Sequence, residues 1–485
     1  MQVAWRNLSD GVAAQALRAP ASPALLAGRT ALSYARLAEL IQRCAVHLAA
    51  LGVQPGEVAA VALPTGVPAI VLTLGLLRLG AIPLPLAPDA GAEAASAAHL
   101  FCGPREAEVA GPRCHHVGPE WLGAADARRG DVRLARPADA VHLLNPVRPG
   151  EAGPLAVEVT LRQMLARVAA ALALFPAIYD PARPARLILP PGMPLAAALL
   201  FALPQIACGG PLLLPAGSLA AALAETEDAA CPLSAPACRR LLADAAAGPR
   251  FGRLRGLMVA TQGLEPGFAA TIAEGLTPHV SHFLADPAGG FLLAAAAAEP
   301  LRPPPGLWAE VSDGQGRMLP PGQPGHLRLR GMAVSHALHR QPAAAAALGL
   351  RGGWLAPGDL AEAAADGGIT LLGPTCDVAS RRGAEVFTLA VERALAGHPA
   401  VAAVAAVRAR TSAQAVAFIV PDGPSAPEAL RRHIASRVPA AGAPDRVQFL
   451  RALPRTTAGA VDRVRLSVMA DIETVSGQKT TDSRA

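Results

Sequence analysis

From Leu187 to Ala224 the chain carries no charged residue, a run longer than the roughly 20 apolar residues that cross a bilayer as one helix. Such a stretch has two homes, a membrane or the interior of a large domain. Its breakers decide between them, because Pro190, Pro191, Pro194, Pro204, Gly209, Gly210, Pro211 and Pro215 interrupt it. Proline has no amide hydrogen and its ring clashes with the preceding helical turn, so the expected product is a strand, a buried helix and a second strand, with no membrane span. That strand-helix-strand pattern agrees with an α/β fold.

Length and composition agree. With 485 residues, 52% hydrophobic and 16% charged, the chain can bury one large core and a smaller second domain. Only 3% is aromatic, so alanine and leucine must fill most of that core. The net charge of +6 comes from 43 basic and 37 acidic residues, dispersed and without a basic run, so no nucleic acid partner is expected. Cysteines at 44, 102, 114, 208, 231, 238 and 376 form no C-x-x-C pair, which reads as reduced thiols in the cytoplasm. Met1 to Asp10 lacks the apolar core of a signal peptide. No fixed repeat is visible, and the polar tail over 471–485 is expected to be disordered.

Local patterning sets an order of elements. Pro23 to Leu25 reads as an opening strand, and Leu37, Ile41, Cys44, Ala45 and Leu48 form the apolar face of a helix that stops at Gly52. Val53 to Glu57 is a turn, Val58 to Leu63 a strand, Ala69 to Leu79 an apolar helix, and Gly80 to Leu86 follows as G-A-I-P-L-P-L. Near the other end, Trp354 to Leu360, Asp366 to Ile369 and Gly373 make a W-x-x-x-G-D … D-G … G series, and Leu453 to Arg463 reads L-P-R-T-T-A-G-A-V-D-R. In this order, from about Ala21 to Leu466, the chain resembles the adenylate-forming (AMP-binding) superfamily: acyl-CoA and aryl-CoA ligases, luciferases and peptide-synthetase adenylation domains. The resemblance implies a large N-terminal domain of layered sheets and helices over 1–373 and a small, mobile α+β domain over 374–470.

It also implies four places for chemistry, and this chain departs from the pattern in each. The catalytic lysine that follows the loop glycine falls on Ala460. The phosphate loop, a Ser/Thr/Gly-rich turn ending in Pro-Lys, falls on Asn145 to Ala156, where the lysine position is Leu155 and Glu151 sets an anion beside the polyphosphate. A like-charge contact in a partly dry site costs on the order of several kcal/mol. The bland account of this segment is a surface loop. The helix behind it is read over Val157 to Met164. In the adenine and magnesium motif, Val280 to Gly289, the metal-binding glutamate position falls on or near Ala288, with Asp286 a displaced replacement. Asp359 is placed to accept ribose hydroxyls or, equally, to cap a turn, and the arginine expected after Gly373 is Pro374. At the hinge, Asp377 is kept while the lysine position falls on Ser380, beside Arg381 and Arg382. The H-x-x-H pairs His279/His282 and His336/His339 read as ordinary solvated histidines, and no metal site is expected.

Loss of cations across one anion-handling site points to a ligase homologue without carboxylate adenylation, working as a binder of an acyl or nucleotide-like ligand, of an acyl carrier protein or of an active paralogue. The alternative is a working acyl-CoA or acyl-carrier-protein ligase using ATP, magnesium and CoA, with relocated cations from Arg148, Arg381, Arg382 and Arg455. A third is a purely structural partner in a multienzyme pathway.

Overall fold

A computed structural model describes residues 7–88, 96–103, 111–132, 136–147, 155–246, 251, 254–261, 268–297, 299–341, 345, 350–374, 378–381, 384–388, 391–392, 395, 400–412, 414–421, 433, 444–454, 461–463 and 465–471. The chain opens with α1 (Ser9–Arg18), β1 (Pro23–Ala27), β2 (Thr30–Ser33) and α2 (Tyr34–Ala50). Next come β3 (Val58–Ala62), α3 (Val67–Leu79), β4 (Ile82–Pro85), β5 (His99–Cys102), β6 (Arg113–His116) and α4 (Pro119–Asp126). A hairpin of β7 (Val141–Pro146) and β8 (Ala156–Thr160) leads into α5 (Leu161–Leu174). Then follow β9 (Arg186–Ile188), α6 (Leu195–Cys208), β10 (Leu212–Leu213), α7 (Leu219–Glu225), β11 (Ala229–Leu233), α8 (Ala235–Ala246), β12 (Leu254–Ala260), α9 (Phe268–Gly275), β13 (Val280–Asp286) and β14 (Gly290–Ala296). The remaining strands are β15 (Leu307–Ser312), β16 (Pro324–Gly331), β17 (Leu350–Arg351), β18 (Trp354–Leu355), β19 (Asp359–Ala363), β20 (Ile369–Pro374), β21 (Val378–Arg381), β22 (Ala384–Phe387), β23 (Val401–Arg408), β24 (Ala415–Pro421) and β25 (Arg446–Phe449).

The charge-free stretch resolves as β9, α6 and β10, and among the described residues no helix is long and apolar enough to cross a membrane. Its two strands sit inside an eight-stranded sheet ordered β14-β13-β12-β11-β9-β10-β1-β2, parallel in the middle and antiparallel at both edges. A second sheet, β4-β3-β5-β6, is wholly parallel. Its strand β3 is buried at every position, as a parallel strand covered on both faces must be. Helix α3 is apolar nearly all round, with Arg78 its sole charge, and is correspondingly buried. It approaches α2 so closely that a β-carbon on Gly75 would lie 2.6 Å from the Cys44 sulfur. Its end is closed by Gly80 in the left-handed conformation, φ 84°, which glycine adopts without steric cost.

A third, antiparallel sheet holds β15 to β20. Beyond it β21 pairs with β22, and β23-β24-β25 form the last sheet. The hinge expected around 373–383 spans the end of β20 and the β21 strand, with Asp377 and Arg382 outside the described residues.

The helix read over Val157 to Met164 needs correction. Val157 to Thr160 belong to β8, paired antiparallel with β7, and the helix starts at Leu161. Val157 and Val159 alternate inward while Glu158 and Thr160 lie less deep, a period of two that favours a strand. Thr160 then begins the helix: its Oγ1 accepts from the Gln163 N–H at 3.3 Å, and its own N–H donates to Gln163 Oε1 at 2.8 Å, a reciprocal capping box.

Few aromatic residues are available, and the fold concentrates them. Phe175, Phe201, Phe283 and Phe291 meet edge to face with centroids 5.2–6.3 Å apart, joined by Tyr179, where α5 and α6 meet β13 and β14.

Candidate functional site

The site is assembled where the β7–β8 hairpin, the first turns of α5 and the β13–β14 turn come together. The hairpin ladder runs through Asn145 opposite Val157 and Pro146 opposite Ala156, and continues with Val147 N–H donating to Leu155 O at 2.9 Å. Arg148 and Glu151 lie outside the described residues. Leu155 is 8% exposed, in an apolar cluster with Val157, Leu284, Ala288, Leu292 and Leu355. Leu155, at the position the resemblance gives to a lysine, and Ala288, at or beside the one it gives to a metal-binding glutamate, therefore carry buried apolar side chains in one cluster.

In the β13–β14 turn Asp286 Oδ1 accepts from the Ala288 N–H at 2.7 Å, and the Ala288 carbonyl accepts from Ser335 N–H at 2.7 Å. Asp286 thus organises its own turn through that oxygen. The strongest cation nearby is one that sequence reading passed over. Arg167, on α5 and 8% exposed, donates from Nε to Ala333 O at 3.0 Å, from one terminal nitrogen to Pro287 O at 3.2 Å, and from the other to Ala288 O at 2.6 Å and Ser335 Oγ at 3.0 Å. Burial lowers its pKa to about 10, with Asp286 acting at longer range to raise it, so it stays cationic at neutral pH. Gln163, one turn before it, donates to Val334 O at 3.1 Å. The α5 start therefore clamps both 287–288 and 333–335. The signal was present: Leu161, Met164, Arg167, Val168 and Ala171 share the buried stripe at helical spacing, and a charge in such a stripe must have partners.

One histidine of each H-x-x-H pair is engaged with a protein group. His282 bonds the Glu299 carbonyl at 3.0 Å, and His339 Nδ1 bonds Glu158 Oε1 at 2.9 Å, holding the strand-like Leu338 segment against β8. Among the described residues no group of three His, Cys, Asp or Glu side chains is arranged to hold a metal ion.

Asp359 is the first residue of β19, 9% exposed and opposite Pro374 of β20 in the ladder. Ser380 and Arg381 lie in β21, facing Glu385 and Ala384 of β22 in register. Arg455 and Ala460 lie outside the described residues. The chain just past that loop is tied down firmly. Asp462 N–H returns to Pro454 O at 2.8 Å, and the Arg463 guanidinium grips both Glu392 oxygens at 2.7 and 2.8 Å. Glu392, 3% exposed, also accepts from the Ala406 N–H at 2.7 Å. This pair, with Glu392 buried and Arg463 half-exposed, fixes the loop's exit to the last sheet.

Residues 12–106 match the AMP-binding enzyme family, and residues 390–460 match the AMP-binding enzyme C-terminal domain. ATP-bound MatB from Rhodopseudomonas palustris shares the fold with a TM-score of 0.78 over 96% of this chain and 99% of that one, at 19% identity. Across those two segments the chain matches the AMP-binding enzyme models, and its fold is that of the adenylate-forming ligases. The isonitrile lipopeptide synthase of Streptomyces coeruleorubidus is 37% identical over 177 residues, 35% of this chain and 11% of that protein. The fatty acid–[acyl-carrier-protein] ligase ScoC of the same organism is 31% identical over 183 residues, 37% of this chain and 34% of that protein. The chain spans about a third or less of the length of these curated relatives.

Proposed function

We propose that this protein is a cytoplasmic adenylate-forming ligase homologue that has lost carboxylate adenylation and acts in an acyl or related biosynthetic pathway by binding a ligand or a partner protein. The observation that carries this is the apolar cluster shared by Leu155 and Ala288. A polyphosphate with its metal needs cations and carboxylates at the sites of charge, and hydrocarbon at those sites leaves the ions desolvated without compensation. Arg167 does not stand in for them, because its donors hold backbone carbonyls and Ser335. The residues present therefore do not fit magnesium-ATP, and no reaction step is derived through it. A carrier-protein ligase among the relatives makes an acyl carrier protein a natural partner class, alongside an active paralogue.

The test is ATP–pyrophosphate exchange over a broad panel of carboxylic acids, together with calorimetric titration of magnesium-ATP. No exchange and no micromolar binding are expected. Exchange with any acid would establish instead a working acyl-CoA or acyl-carrier-protein ligase, with Asp359 and the arginines at 148, 381, 382 and 455 as its nucleotide contacts.

A further inference from the structure

One face of the β15–β16 pair carries side chains that are unusual for this chain. Leu307 and Val311 of β15, with Leu327 and Leu329 of β16, join the apolar cluster on the inner face. The alternate residues form the outer face, where Trp308 lies directly across from Arg330 and Glu310 across from Arg328. Trp308 is 65% exposed, and Met332, two residues beyond Arg330, is 68% exposed. Only 3% of the chain is aromatic, and Phe175, Phe201, Phe283 and Phe291 are all buried. A tryptophan left in water is therefore the exception, and exposed apolar groups gathered beside polar ones mark contact surfaces.

The charges around it are unevenly matched. Glu310 accepts from Arg328 Nε at 3.0 Å, so that pair is neutral. The Arg328 guanidinium lies 4.8 Å from the Trp354 ring centre and that of Arg330 5.9 Å from the same ring, so both arginines are held over β18 by attraction to its aromatic face. Arg330 is exposed, and among the described residues no carboxylate pairs with it. Trp308, Arg330 and Trp354 thus form a row across β15, β16 and β18, with an uncompensated cation at its centre.

We propose that this face is a docking surface for an acidic segment of a partner protein, which sets a carboxylate on Arg330 and a neighbouring apolar side chain against Trp308 and Met332. Tryptophan and arginine dominate the energetics of protein contacts, and a planar guanidinium matches a carboxylate. Anchoring to an anionic bilayer takes several cations together with protruding apolar groups, whereas this face holds one unpaired cation and the Glu310 carboxylate. A nucleic acid backbone calls for a series of cations and is disfavoured on the same grounds. The proposal rests on the partner-binding function above and adds the place and the chemistry of the partner.

The probe is a random copolymer of glutamate and tyrosine, titrated calorimetrically into the full chain at about 0.15 M salt, where exposed charges attract only at short range. Saturable binding is expected, about tenfold tighter than that of polyglutamate, which has no apolar anchor, and no binding of a lysine–tyrosine copolymer. Trp308→Ser and Arg330→Glu should each weaken it about tenfold. Leu17→Ser, which removes an exposed apolar residue on α1, should leave it unchanged; circular dichroism checks that the variants fold. No binding of the glutamate–tyrosine copolymer, equal binding of polyglutamate, or binding unchanged in folded Trp308→Ser or Arg330→Glu each overturns the proposal. Co-sedimentation with phosphatidylserine vesicles that Trp308→Ser abolishes would assign the face to a membrane and overturn it too. Failure of copolymer binding with no pyrophosphate exchange overturns this surface alone. Exchange with copolymer binding intact overturns the loss of adenylation alone.

Discussion

Leu155 is the residue on which the site turns. Introducing the family lysine there would put an ammonium among Val157, Leu284 and Leu292, at a position only 8% exposed. Leu155→Lys is therefore expected to lower stability by about 2–4 kcal/mol, read as a fall in the urea midpoint. For the same reason Ala460→Lys alone should give no pyrophosphate exchange, because groups that act as a unit do not rescue singly; measurable turnover from that variant would contradict the assignment. Glu392 makes a separate point. Its removal leaves Arg463 and the Ala406 N–H without their shared acceptor, while Arg463 keeps its bond to the Ala406 carbonyl, so Glu392→Ala should destabilise by about 1–3 kcal/mol. Increased hydrogen exchange around 461–471 without change in β9–β12 would locate that loss.

Elements explain where sequence patterning succeeded and where it slipped. Helix α2 was legible because its apolar residues recur at helical spacing, and strand β3 because it is a short, wholly apolar run bounded by turns. The start of α5 was misplaced because Val157 to Thr160 looks continuous with the helix until the alternation and the Thr160–Gln163 box are weighed together. Composition showed that aromatics were scarce, but not that Phe175, Phe201, Phe283 and Phe291 would converge from the end of α5, from α6 and from two neighbouring strands. Phe291, fully buried, touches the other three phenylalanines, and Phe291→Ala should cost about 3–5 kcal/mol, checked by chemical denaturation. A loss under 1 kcal/mol would mean that the site collapses around the missing ring.

For the molecule as a whole, several histidines are held neutral by burial. His115 is lowered to about 4 by desolvation, helped by His99, Arg113 and His47, while it stacks on Phe101 and meets His99 Nδ1 at 2.9 Å. His99 in turn bonds Glu57. His47, His142 and His282 are lowered too, each chiefly by desolvation. Their folded values lie below the unfolded value near 6.5, so between the two the unfolded chain binds more protons and stability rises with pH. The contribution is complete above about 6.5 and is lost as pH falls toward about 4, the value reached at His115. Urea midpoints measured across that window should fall with acidity, and His115→Gln should flatten the slope.

The amino-acid sequence by itself carried the resemblance to the adenylate-forming superfamily, the opening run of elements and the replaced family side chains, because those properties are written in local spacing and in the identity of single residues. Only the tertiary structure decided that Leu155 and Ala288 pack in one cluster and that Arg167 spans from α5 to the 287–288 and 333–335 segments. Those contacts join distant parts of the chain, and no local pattern encodes which distant carbonyl a buried guanidinium will find.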